Sequence, residues 1–139
     1  MSQQAQAKYT VTHWEQTTIE AAGGGPAWAR AVVLKSFDGE LKGTSRAELL
    51  MAGEPATGAG YIAQERFVGR LGDRVGAFDM QPGGAALPGG VTRYQFGYVV
   101  PHSGTGGFAG LAGTVLFRHD EAGAVFTLLY TLAGFAAAG

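Results

Sequence analysis

Glu65 is the titratable residue whose setting most resembles a chemical one. It lies in the run Gly60 to Leu71, where alternate positions carry Tyr61, Ala63, Phe67 and Leu71, so a β-strand here puts a carboxylate on its apolar face. Burial raises the pKa of an unpaired carboxyl group, which suits a general acid or base. A structural ion pair across the sheet with Arg74 or Arg93 is the alternative. His13, His102 and His119 stand on separate segments with no metal-binding spacing, and His13 is kept as a second candidate for proton transfer. Ser103 adjoins His102, but sequence neighbours rarely reach nucleophile and base geometry, and Pro101 breaks the Gly-x-Ser-x-Gly pattern. Gly104-Thr105-Gly106-Gly107-Phe108-Ala109 spells a dinucleotide fingerprint, yet Gly110 and Gly113 leave no helix whose N-terminus could meet a pyrophosphate. The absence of Cys excludes thiolate nucleophiles, disulfides and Cys-ligated metals. Neither a metal nor a cofactor is expected.

These residues need elements to hold them, and the composition selects strands. Of 139 residues, 24 are Gly and 5 are Pro, and no long stretch free of both shows a helical apolar rhythm. The segments between turn signals read as about eight strands: Ala7 to Thr18, Ala29 to Asp38, Glu40 to Ala52, Gly60 to Leu71, Asp73 to Gln81, Gly90 to Pro101, Gly113 to His119 and Ala124 to Gly134. Asp38-Gly39 is a type I′ hairpin signal, Gly72-Asp73 a second hairpin, and residues 120–123 a four-residue loop. Such a meander closes into an all-β, single eight-stranded antiparallel barrel, with at most one short helical turn near residues 106–111. The whole chain, 1–139, forms one domain, with 1–6 and 135–139 as loose tails. In-strand Gly43, Gly69, Gly76 and Gly97 are expected to relax curvature and leave room inside.

Alternation assigns Lys42, Thr44, Arg46 and Glu48 to solvent, and Leu41, Ser45, Ala47 and Leu49 to the interior. Thr92, Tyr94, Phe96, Tyr98 and Val100 read as one inner stripe, and Phe126, Leu128, Tyr130 and Leu132 as another. The reverse face of the last strand is apolar enough to suggest a subunit contact in a homo-oligomer, a dimer or trimer. Parity is ambiguous for Ala7 to Thr18 and for Asp73 to Gln81. With 10 basic and 11 acidic residues the formal charge is −1, which disfavours nucleic acid as a partner. No signal-peptide pattern and no apolar run long enough for a membrane span occurs, so a cytoplasmic, non-membrane protein is expected.

The stretch Val99-Val100-Pro101-His102-Ser103-Gly104-Thr105-Gly106-Gly107-Phe108-Ala109-Gly110-Leu111-Ala112-Gly113, together with Gln64 to Phe78, resembles the bacterial domain-of-unknown-function family 3224. The Gly-x-Gly-x-Phe-x-Gly-x-x-Gly loop before the Phe126-Thr127-Leu128-Leu129-Tyr130 strand is in turn similar to the allene oxide cyclase-like, or dirigent-like, barrels. That resemblance implies a cavity for a hydrophobic substrate, a pocket carboxylate near the first strand and a Ser-Pro tract after it. Gly25-Pro26-Ala27-Trp28 matches the tract at Pro26, with Gly25 in place of Ser, and Glu15 is the only carboxylate in Thr12-His13-Trp14-Glu15. The expected function is binding of a hydrophobic small molecule, lined by Pro26, Tyr61, Phe67, Tyr94, Phe96, Tyr98, Phe126 and Tyr130. If the protein is an enzyme, it is a cofactor-independent cyclase or isomerase of bacterial secondary metabolism, with Glu65 and His13 as catalytic groups. The alternative is a non-catalytic ligand-binding or oligomeric structural barrel with a filled interior.

Overall fold

A computed structural model describes residues 2–20, 23–120 and 123–132. The strands are β1 (Gln3–Ile19), β2 (Trp28–Gly39), β3 (Leu41–Glu54), β4 (Gly58–Leu71), β5 (Arg74–Met80), β6 (Gly83–Leu87), β7 (Val91–Phe96), β8 (Thr105–Gly106), β9 (Leu111–Asp120) and β10 (Gly123–Leu132). All pairings are antiparallel, in the order β7-β6-β4-β3-β2-β1-β10-β9, with β5 on β4 and β8 on β5. Residues 97–100 complete the ring between β5 and β9 through the bridges Met80↔Val99 and Tyr98↔Thr114. The Val100 amide donates to the Asp79 carbonyl and the Val99 amide to the Gly113 carbonyl, both at 2.9 Å. Counting that segment, eight strands form the antiparallel barrel that the alternation predicts.

Strand β4 is the branch point. Its second half, Glu65 to Leu71, pairs with β5 in the barrel wall, and its first half, Ala59 to Ile62, pairs with the β6–β7 hairpin. The barrel wall therefore continues at one end as an open sheet of β1, β2, β3, β4, β6 and β7. This divides the run Gly90 to Pro101, expected as one strand, into β7 and the closing segment. The change of partner falls at Gly97, where an added Cβ would meet Val115 Cγ2 at 2.6 Å and its carbonyl oxygen at 2.8 Å. Residues 3–6, expected as a loose tail, instead pair with β10, and Ala5 is buried beneath that contact. A bulge between Val11 and His13 switches the parity of β1, which is why alternation alone could not orient it.

The Gly72-Asp73 turn forms as expected, between the pair Leu71↔Arg74, with Gly72 at φ +60° in the manner of a II′ hairpin. Asp38-Gly39 is not a type I′ turn. Asp38 has no positive φ, because β2 runs on to pair Gly39 with Ala7 of β1 and the chain reverses only after it. For the expected loop at 120–123, Asp120 pairs with Gly123, and residues 121–122 lie outside those described.

The main core is aromatic. Phe37, Phe67, Phe78, Phe117 and Phe126 fill the barrel with ring centroids 4.8–6.4 Å apart. Phe108 closes one end, 5.2 Å from Phe78 and 6.2 Å from Phe67. It is carried there by the glycine-rich loop, which makes successive four-residue turns and no helix: the Phe108 amide donates to Thr105 O and the Ala109 amide to Gly106 O.

Candidate functional site

Glu65 faces inward, as alternation predicts, with no exposed surface. Its partner is neither Arg74 nor Arg93. Lys35 of β2 lies on the inner face with Val33 and Phe37, and its Nζ is 3.1 Å and 3.2 Å from the two carboxylate oxygens. Ser45 of β3 donates its hydroxyl to Oε2 at 2.6 Å. The ammonium also sits 3.9 Å from the centre of the Phe117 ring and 5.6 Å from that of Tyr9, a cation over aromatic faces. The cluster separates the phenylalanine core from a second apolar group, Ala31, Val33, Ala47 and Leu49.

Burial pulls the Lys35 pKa down, against the opposing pull of the Glu65 charge and hydrogen bond. Burial also pushes the Tyr9 hydroxyl up to about 12, helped by Tyr61 and Glu65, and raises Tyr61 in the same way. Chemically, this is a compact buried ion pair whose carboxylate oxygens are both engaged, Oε1 by Lys35 and Oε2 by Lys35 and Ser45. Lys35 is the residue sequence reasoning missed. The signal was present: Ala29, Ala31, Val33, Lys35 and Phe37 alternate on one face, with a lone cation among apolar neighbours.

Of the remaining expected site residues, Phe67, Phe126 and Tyr130 are buried in the filled core. Tyr61 faces inward and is half-buried. His13 is exposed at the β1 bulge, opposite Leu34 on the outer face, and Pro26 is exposed in the turn before β2. Tyr94, Phe96 and Tyr98 correct the expected inner stripe: all three point outward, with Tyr94 65% exposed. The inward positions between them are Gln95, whose amide donates to the Phe117 carbonyl, and buried Gly97. Val115 and Phe117 already occupy that side, so only small or polar residues fit.

On the outer sheet face these aromatics build a second candidate site. One row across the register reads Trp28, Ala52, Gly60, Ala85, Tyr94, and the next reads Arg30, Leu50, Ile62, Gly83, Phe96. Small residues between Trp28 and Tyr94 leave a trough, and Leu50, Ile62 and Phe96 form its bank. The depression holds about 700 Å³. It adjoins another of about 550 Å³ through Arg30, Leu50, Ile62 and Phe96. There Tyr98 donates to Gln81 at 2.7 Å and Gln81 to Gln64 at 2.8 Å.

Ser103 and His102 form no catalytic pair. The Ser103 hydroxyl accepts from the Asp79 amide at 3.0 Å and donates to its carbonyl at 3.2 Å, pinning the loop to β5, while His102 takes the positive φ of the turn. Among the described residues no group of three or more His, Asp or Glu is placed to hold a metal, and no helix is long and apolar enough to cross a membrane.

The fold and both sites define a small all-β barrel with an aromatic outer groove. Residues 5–131 match the model of a protein family of unknown function, DUF3224, and the chain belongs to that family. It is similar to a crystal structure of a protein of unknown function from the same family of Shewanella oneidensis MR-1, with TM-score 0.76 and 28% identity over 95% of this chain and 98% of that one. Comparison with curated proteins finds no match.

Proposed function

We propose that the protein is a binding barrel that takes a hydrophobic small molecule in the outer groove rather than in the bore. The observation that carries this reading is the trough of Ala52, Gly60 and Ala85 between Trp28 and Tyr94, an apolar concavity of about 700 Å³. That volume suits a small-molecule site, and exposed apolar surface concentrated in one patch marks a place of interaction. The similarity of the Gly104 to Gly113 loop to allene oxide cyclase-like barrels agrees with a hydrophobic ligand. Cyclase or isomerase chemistry has less behind it. Glu65 is sealed by Lys35 and Ser45, His13 lies on the outer face, and Gly25 stands where those cyclases carry Ser.

Titration with the neutral fluorophore Nile red tests the proposal. Saturable binding at one site per chain is expected, together with its loss in Ile62→Asp, an exposed position where circular dichroism should remain native. Failure to bind, or binding that Ile62→Asp and Phe96→Ala leave unchanged, overturns it. So does light scattering that shows a dimer which Ile62→Asp converts to monomer, since the groove is then a subunit contact.

A further inference from the structure

Resting on the groove reading above, we infer that the ligand is an elongated apolar monocarboxylate, with Arg30 as its counter-ion. Arg30 stands on β2 beside Trp28, at one end of the trough, and borders both depressions. The other arginines nearby on this face are already committed: Arg46 to Glu48 at 2.5 Å, and Arg66 to both oxygens of Asp79 at 2.6 Å and 3.0 Å. Arg30 has no such partner among the described residues. Glu15 and Glu48, its diagonal neighbours across the register, do not lie within ion-pair distance of it. An unpaired guanidinium at the mouth of an apolar trough is complementary to one carboxylate, which it can hold with two parallel hydrogen bonds.

The shape sets the rest of the ligand. Trp28 and Tyr94 lie on β2 and β7, four strand spacings apart through β3, β4 and β6. At about 4.8 Å per spacing the trough runs for roughly 19 Å across the strands. A single unbranched chain laid over Ala52, Gly60 and Ala85 fits that form, with its head at Arg30 and its tail between Tyr94 and Phe96.

Dodecanoate and 1-dodecanol, each below its aggregation concentration, are compared by displacement of Nile red from the full chain. The acid should bind about tenfold or more tightly than the alcohol, the effect of a charge-assisted hydrogen bond. Arg30→Gln should remove that preference, the acid losing at least about tenfold more affinity than the alcohol, and Arg30→Lys should keep part of it. Equal affinities for acid and alcohol, with Nile red still bound, overturn the carboxylate and leave the groove standing. Loss of binding by all three probes removes both. Sedimentation with phosphatidylglycerol vesicles without binding of free dodecanoate also overturns the inference, because the acid then belongs to a lipid surface.

Discussion

Lys35 and Glu65 make a buried ion pair whose value lies in its completeness. Removing one partner strands the other charge away from water, which costs about 3–5 kcal/mol in comparable pairs, whereas replacing both with apolar groups is often neutral. Glu65→Gln is therefore expected to destabilise the fold by about 3 kcal/mol in urea unfolding, and Lys35→Met with Glu65→Leu to recover most of it. If the double variant is no better than the single one, Ser45 rather than the ion pair dominates the site. The neighbouring tyrosines add a pH signature. Below pH 10 Tyr9 is protonated in both folded and unfolded chains, and there is no difference between them. From pH 10 to about 12 the unfolded chain ionises while the folded one resists, so stability falls as pH rises through that window. Tyr9→Phe should flatten this limb, as read from unfolding midpoints between pH 9 and 12. At this scale Glu65 was legible from alternation. Alternation also places Lys35 on the inner face of β2, but not opposite Glu65: the pairings of β2 with β3 and of β3 with β4 are what bring Lys35 and Ser45 to the carboxylate.

Among the strands, glycine explains more of the barrel than any other residue. The register places Gly43, Gly69, Gly76 and Gly106 in one row across β3, β4, β5 and β8. Composition suggested that such residues leave an internal cavity. They instead admit close neighbours: a Cβ at Gly69 would meet Gly43 Cα and the Phe67 ring at 2.8 Å. Gly69→Ala should thus cost about 1–3 kcal/mol through overpacking. Gly72 differs, since open space surrounds it and only its φ of +60° is at stake. Gly72→Asn should cost about 1 kcal/mol of backbone strain and no packing, because the first position of a II′ turn favours Gly, while Gly69→Asn should not fold. Thermal unfolding of the three variants separates the two mechanisms. Strand existence and most faces were legible in the sequence. The aromatic stripe of β7 was misread because hydrophobicity alone says nothing of the space available behind it: Gly97 lies against Val115, and Phe117 holds the inner side at Gln95.

At the scale of the molecule, stability depends on joining the two ends of the chain. The pairs Gln3↔Tyr130 to Lys8↔Val125 close the barrel, and they bury Ala5 and Ala7 beside Leu128 and Phe126. Nothing in the first residues, polar and resembling a tail, announces that role; it arises because β10 needs a partner on its free side and the barrel geometry supplies one. Deleting residues 1–8 should leave the backbone groups of β10 unpaired and uncover its phenylalanine face. An unpaired edge over an apolar core invites pairing with other chains. The truncated protein is therefore expected to lose its sharp unfolding transition, bind anilinonaphthalene sulfonate and migrate as large assemblies in size-exclusion chromatography. The β6–β7 hairpin, whose ladder joins the rest of the sheet at β4, should by contrast exchange its amides faster than β3 and β4 in the intact chain, since it can open by giving up that edge and the Gln95–Phe117 bond without breaching the barrel. A truncated protein that stays at its native size and melts as sharply as the full chain would place the cohesion of the fold in β2 to β5 and remove the need for closure.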